Sequence, residues 1–320
     1  MQFSWQKKGL IFSPSNTKPW MKEYAQVPVP VMLNDICRIF FTTRHYPNAD
    51  NLPISNIGFI DVERKNPSKI ISISKEPVLP LGNYGTFDEF GLMPADIIKH
   101  DAQTIFMYYT GWTRSASVPY VTNIGLAVST DNCQTFKKIS AGPIIGLNKY
   151  DPILINGPSV IKENGTYHMY YSSATKWVDH NEKKEVYYFI KHATSENGVD
   201  WILNDNFCLP VLSDNEVQNA PRVSKVNDCF YMWFCYRKGL NFRSEIDSGY
   251  RLGLAVSKDL LSWKRIEENL LGIKKSESGW DSEMMCYPYM IKDENTLKLF
   301  YNGNYFGKEG FGYAEMNINT

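Results

Sequence analysis

The sequence lacks a surplus of either charge. Lys plus Arg and Asp plus Glu number 34 each, which gives no electrostatic case for nucleic acid or an anionic membrane as a partner. It also lacks long apolar runs. The opening stretch reaches only Gly9-Leu-Ile-Phe12, too short for a signal-peptide core, and nothing approaches a membrane span. Its six cysteines include no Cys-x-x-Cys spacing. Cys229 and Cys235 sit in one apolar stretch and read as buried free thiols of a reduced, cytoplasmic chain. The histidines are scattered without metal-ligand spacing, so no catalytic metal is expected. No Gly-x-Gly-x-x-Gly or P-loop pattern falls on a strand-to-helix turn. No cofactor is expected.

What the sequence does have is a period. Pro30, Pro94, Pro158, Pro221 and Pro288 each open an apolar stretch, with gaps of 64, 64, 63 and 67 residues. The clearest copies run from Pro158 to Tyr171 and from Pro221 to Phe234. Each copy has a short strand, then a polar turn such as Asn164-Gly165 or Asn227-Asp228, residues that tolerate the positive φ of tight hairpins. An aromatic second strand follows, such as Phe106-Met-Tyr-Tyr109 or Tyr231 to Phe234. A third strand reads Gly125-Leu-Ala-Val-Ser129 or Gly253-Leu-Ala-Val-Ser257, and Phe136, Trp201 or Trp263 opens a fourth. Four antiparallel strands per repeat, repeated radially, predict an all-β, five-bladed β-propeller as a single domain over residues 1–320. The fifth repeat stops before its fourth strand. Residues near 3–12 resemble the missing piece, so the N-terminal strand is expected to close the last blade.

In a propeller the first strand of each blade lines the central channel, so the segments ahead of the prolines should converge. Asp88, Glu89, Asp151, Glu216, Asp281 and Glu283 lie there, and Glu89, Glu216 and Glu283 each stand five residues before their proline. Carboxylates gathered around one axis push their pKa values apart, which is what glycosidic cleavage requires. Asp88, Asp151, Glu216 and Glu283 are the candidate catalytic acids. The alternative is that they are solvated or turn-capping carboxylates. Arg44, Arg222 and Arg237, at or near strand ends, suit a carboxylate or phosphate of a ligand, or else a buried ion pair. Trp112, Trp177 and Tyr305 follow second strands, where they would stack on a sugar or pack between blades. With Glu89 and Asp281 these complete the candidate substrate-binding set. His192 replaces the leucine of the Gly-Leu-Ala pattern and reads as a core histidine.

The pattern resembles the five-bladed propeller glycoside hydrolases of families 43, 62, 32 and 68 and the mannoside phosphorylases of family 130. The resemblance rests on Gly125-Leu-Ala-Val-Ser-Thr-Asp131, on Gly253-Leu-Ala-Val-Ser-Lys-Asp259 and on the Pro-x-Val-Ile unit, and covers nearly the whole chain. Gly85-Thr-Phe-Asp-Glu-Phe-Gly91, Gly279-Trp-Asp-Ser-Glu-Met284 and Tyr301-Asn-Gly-Asn304 are similar to a group of bacterial propeller proteins assigned as glycosidases. The family 43 pattern implies acids in blades 1, 3 and 4. Asp151 and Glu216 fall in matching blades, but the channel end of blade 1, Pro14 to Trp20, carries no acid, and Asp88 of blade 2 is the substitute. Arg44 resembles the arginine after the first aromatic strand of the mannoside phosphorylases, without their Glu-Asp-Pro-Arg.

These observations imply a protein acting on a carbohydrate or glycoconjugate. The first reading is a glycoside hydrolase using paired carboxylates. The others are a non-catalytic carbohydrate-binding propeller, and a phosphorylase or transferase working in glycan assembly.

Overall fold

The computed structural model describes residues 3–14, 17–47 and 52–318. Its strands are β1 (Gln6–Phe12), β2 (Glu23–Leu33), β3 (Ile36–His45), β4 (Ile54–Glu63), β5 (Ile70–Ile73), β6 (Gly91–Lys99), β7 (Ile105–Thr113), β8 (Val121–Ser129), β9 (Lys137–Lys138), β10 (Ile155–Glu163), β11 (Thr166–His180), β12 (Lys183–Ser195), β13 (Val217–Val226), β14 (Cys229–Arg237), β15 (Arg251–Ser257), β16 (Lys264–Arg265), β17 (Cys286–Asp293), β18 (Thr296–Asn302) and β19 (Phe311–Asn317). Strands β10–β12 and β13–β16 form separate antiparallel sheets. Strands β2–β5 and β6–β9 are each antiparallel, joined by a single parallel pair, Ser55 with Gly91. Among the described residues no helix is long and apolar enough to cross a membrane.

The turns follow their chemistry. Asn34, Asn164 and Asn227 take positive φ in the hairpins after β2, β10 and β13. The Ser-x-Asp ending of the third strands is also turn chemistry. Ser257 Oγ accepts from the Leu260 N–H, and Asp259 accepts from the N–H groups of Leu261 and Ser262. Those backbone donors hold the Asp259 carboxyl down at about 2.

The first strands make a closed circuit: β2 packs beside β6, β6 beside β10, β10 beside β13, β13 beside β17 and β17 beside β2. The apolar cores lie between neighbouring sheets. One joins Trp233 and Leu254 to Leu299 and Tyr301; another joins Phe41 and Ile60 to Phe300 and Phe311. The architecture is propeller-like.

The register corrects the period read from the prolines. Val29 pairs with Phe40, Asp96 with Tyr108, Ser159 with Tyr170, Arg222 with Trp233 and Tyr289 with Phe300. The counterpart of Pro158 is therefore Pro28 rather than Pro30, and Ala95 rather than Pro94. The aligned positions 28, 95, 158, 221 and 288 are spaced 67, 63, 63 and 67 residues apart. Proline is a good but imperfect marker. What is repeated is a bulge, and at Val27, Gly157, Ala220 and Tyr287 it is made by a residue with positive φ.

β1 pairs with β19 and completes the sheet β1-β19-β18-β17. Lys7 on β1 reaches the buried Asp281 at 2.6 Å. Deleting residues 1–12 should strip β19 of a partner and leave Asp281 without its cation. The expected loss is at least about 3 kcal/mol in denaturant unfolding; an unchanged midpoint would contradict this.

His192 stacks on Tyr170 at 4.8 Å and shares a hydrogen bond with His168 at 3.0 Å. Burial holds its pKa down at about 4. The unfolded chain takes that proton near its ordinary value, so stability is full above about 6.5 and declines as pH falls toward 4. His192→Leu, matching Leu126 and Leu254 at the equivalent register, should flatten the decline. Denaturant melts at pH 7 and pH 5 would show it, with a wild-type loss of at most about 1.4 kcal/mol per pH unit.

Candidate functional site

The sequence-predicted acids divide into groups that do different things. Asp88 is buried and accepts from Tyr109 Oη at 3.0 Å and Lys138 Nζ at 2.6 Å. Asp151 accepts from Tyr171 Oη at 3.0 Å and Ser173 Oγ at 2.6 Å, with Lys191 Nζ at 3.2 Å. Asp281 accepts from Tyr301 Oη at 2.9 Å and Lys7 Nζ at 2.6 Å. Glu216 accepts from Arg265 Nη1 at 2.5 Å and Gln218 Nε2 at 2.8 Å, and Phe234 takes the place of the tyrosine.

These are copies of one clasp, acid to aromatic strand to cation. Asp88, Asp151 and Asp281 each stand seven residues ahead of the aligned position, at 95, 158 and 288. Met21 stands there in the first copy, where Phe41 replaces the tyrosine, so the clasp is apolar. The acid absent from the channel end of blade 1 is thus replaced by a methionine in a packing position. The third copy differs in the source of its cation. Gly58, Gly125, Gly253 and Gly312 face the aromatic residue, and a Cβ on Gly125 would lie 2.3 Å from Tyr109. Lys191 occupies this place opposite Tyr171. The three glutamates expected at matching places are not equivalent. Glu89 binds the Gly85 N–H and Thr113 Oγ at a loop, Glu216 is in a clasp, and Glu283 borders a cleft.

Below the channel mouth the aligned side chains of the first strands close the axis. Asp96 accepts from Tyr289 Oη at 2.6 Å, Ser159 Oγ at 3.1 Å and the Val160 N–H at 2.7 Å. Burial pushes its carboxyl up, and the Arg222 guanidinium draws it back. Arg222, expected at a ligand, is instead fully buried in this plug, donating to the Gly157 carbonyl at 3.0 Å. Asp96 escaped the sequence reading. Its signal is an acid inside an otherwise apolar first strand.

Above the plug lies a funnel of about 490 Å³. Every first strand contributes to it: Tyr24 and Gln26, Met93, Asn156, Asn219 and Tyr287. The expected convergence therefore holds for these residues, although Asp88, Asp151, Glu216 and Asp281 are not in the lining. Of the proposed ligand contacts, Arg44, Trp112 and Arg237 line the funnel. Trp177 packs edge-on against Tyr120, 5.3 Å away, behind the wall. Tyr305 is half exposed at the rim. A larger cleft of about 760 Å³ lies away from the axis, between Phe3 and Lys258.

The funnel is cationic. Among the described residues its lining holds Arg44, Arg114, Arg237 and Arg243 against one carboxylate, Glu185. Glu185 is already bound to Arg243 Nε at 2.8 Å. Arg237 is buried, donating to the carbonyls of Val186 and Gly239, and its guanidinium lies 4.0 Å from the Phe242 ring. Arg44 lies over the Tyr24 ring at 4.6 Å. Neither has a carboxylate partner among the described residues. Two guanidiniums beside aromatic walls, neither ion-paired among the described residues, have the chemistry to hold an anionic group. An adjoining cleft of about 460 Å³ shares Tyr24, Phe242, Arg243 and Phe306, and adds Glu245, Glu283 and Tyr305. Glu283 pushes the Tyr305 phenol up through its charge and a hydrogen bond.

The fold is that of the glycoside hydrolase-like propeller proteins. A solved structure described as "The GH130 family of mannoside phosphorylases contains glycoside hydrolases that target beta-1,2 mannosidic linkages in Candida mannan" matches with a TM-score of 0.71. The match is at 15% identity and covers 99% of this chain and 94% of that one. In sequence, the chain is 33% identical over 315 residues to the uncharacterized protein Rv1502 of Mycobacterium tuberculosis, covering 98% of this chain and 99% of the relative. The chain belongs to the same family as that mycobacterial protein. A more distant relative is the 1,2-beta-oligomannan phosphorylase of Thermoanaerobacter sp., 26% identical over 137 residues, covering 40% of this chain and 43% of that protein. No protein-family model matches the chain.

Proposed function

We propose that the chain is a sugar-processing enzyme whose funnel receives an anionic sugar, and that it makes or breaks a glycosidic bond with phosphate or a phosphorylated sugar as partner. The observation that carries this is the lining itself. Arg44 and Arg237 form no ion pair with a carboxylate among the described residues, while the acids that hydrolysis would need are committed to buried clasps. Similarity to an oligomannan phosphorylase supports the reading. On it, the protein is one five-bladed domain with a carbohydrate or glycoconjugate as ligand. Glu283 is the acid of the predicted set left to move a proton, with Tyr305 beside it.

The test is turnover of β-1,2-linked manno-oligosaccharides, and synthesis from hexose 1-phosphates and sugar acceptors, each with and without phosphate. Phosphate-dependent release of a hexose 1-phosphate is expected, reduced about a hundredfold or more in Glu283→Gln. Equal release of free sugar without phosphate would overturn the proposal. A non-catalytic binding propeller is the second reading. It is favoured by the lack of two carboxylates in the funnel lining among the described residues. Binding of those sugars without turnover would select it.

A further inference from the structure

The funnel contains two buried polar atoms that find no hydrogen-bond partner among the described residues. Gln26 and Thr122 are 2% and 3% exposed, and both line the funnel. The unpaired atoms are Gln26 Oε1 and Thr122 Oγ1. A buried polar group left unpaired is costly, and such groups in folded proteins call for an explanation.

The orientation of the Gln26 amide is set by its surroundings. Its Nε2 donates to the Phe306 carbonyl at 2.6 Å, which leaves Oε1 as the free end. That atom can only accept, so its missing partner must carry an O–H or N–H. The backbone is shaped to deliver it. Register shifts flank Gln26 on both sides, between Glu23 and Gln26 and between Gln26 and Val29. Tyr24 and Val27 take positive φ at 62° and 56°. Bulges of this kind re-aim side chains beside functional sites, and non-glycine residues held at positive φ are stored strain. Phe306, at the other end of the Gln26 amide, is itself at φ 60°. Its ring packs against Phe242 and Tyr250 in the wall between funnel and cleft.

We propose that Gln26 is the substrate-reading residue of the funnel: Oε1 accepts a hydrogen bond from one hydroxyl or amine of the bound sugar, while Nε2 holds the Phe306 segment in the dividing wall. Thr122 reads a second polar group from the neighbouring side of the funnel. The inference rests on the sugar site proposed above. It adds that recognition is of a ring carrying a hydrogen-bond donor at one defined position, in addition to the anion at the arginines.

The experiment uses the full chain. Hexose 1-phosphates are screened by calorimetry or ligand-observed NMR, and the best binder is compared with its singly deoxygenated analogues. Wild type should lose roughly tenfold or more in affinity at one ring position. Gln26→Met should abolish that discrimination, binding parent and deoxy sugar alike, and Thr122→Val should erase discrimination at a different position. Unchanged discrimination in Gln26→Met, with sugar binding intact, would overturn this inference and leave the sugar site standing. Absence of binding by any hexose 1-phosphate, with wild type folded, would overturn the site and the inference together. A thermal melt of each variant ensures that ratios are compared on folded protein.

Discussion

Asp151→Ala is expected to destabilise the fold by roughly 3–5 kcal/mol. The carboxylate is fully buried and accepts from Tyr171 and Ser173, with Lys191 alongside. Its removal leaves two hydroxyl donors unpaired in the interior and weakens the setting of a cation that is also buried. Denaturant unfolding at neutral pH measures the effect directly. The comparison matters because a catalytic aspartate makes the opposite prediction: a folded protein of near-normal stability and no turnover. Met21, just before β2, and Phe41 on β3 fill the clasp positions of the first copy without charge and indicate what should rescue such a loss. Converting the last clasp to Asp281→Met, Tyr301→Phe and Lys7→Met together should recover much of what Asp281→Ala alone loses. Replacing a whole buried ion pair by apolar groups is often nearly neutral, whereas halving it is not.

The second large effect concerns ligand. Arg44→Met is expected to weaken binding of a hexose 1-phosphate roughly 10- to 100-fold while leaving the melting temperature within a degree or two. Arg44 is only partly buried, and its guanidinium rests on the Tyr24 ring, so little packing is lost. Arg237→Met should weaken binding at least as much. It should also cost stability, because the carbonyls of Val186 and Gly239 lose their donor. Calorimetric titration of both variants beside wild type separates the two contributions. Unchanged affinity in a folded Arg44→Met protein would remove Arg44 from the site.

The fold was legible because it rests on local signals repeated at a near-constant spacing. Hairpin asparagines at 34, 164 and 227 take the positive φ that their residue type permits, and the aromatic strands alternate as their neighbours require. The terminal closure was legible too, since Trp5 to Phe12 imitates a fourth strand and pairs as β1 with β19. Of the residues expected at a ligand, those at strand ends, Arg44, Trp112 and Arg237, are the ones that line the funnel. The acids could not be sorted by role from sequence, for a physical reason. A carboxylate in a clasp and one at a reaction centre look alike in sequence. What distinguishes them is the cation, and that arrives from 50 residues away for Asp88 and 274 for Asp281. Gln26, Thr122 and Asp96 were missed from the other side. Each is a polar residue in a largely apolar strand, and only the assembled sheets show that they face the axis or the funnel.

The funnel is proposed as a site for an anionic sugar. The most direct measurement is calorimetric titration of wild-type protein with a series of hexose 1-phosphates and the corresponding neutral methyl hexosides, repeated with inorganic phosphate as competitor. The account predicts that at least one phosphorylated sugar binds about tenfold or more tightly than its neutral counterpart and that phosphate competes. Neutral sugars binding as tightly as the phosphorylated ones, with no effect of phosphate, would contradict it.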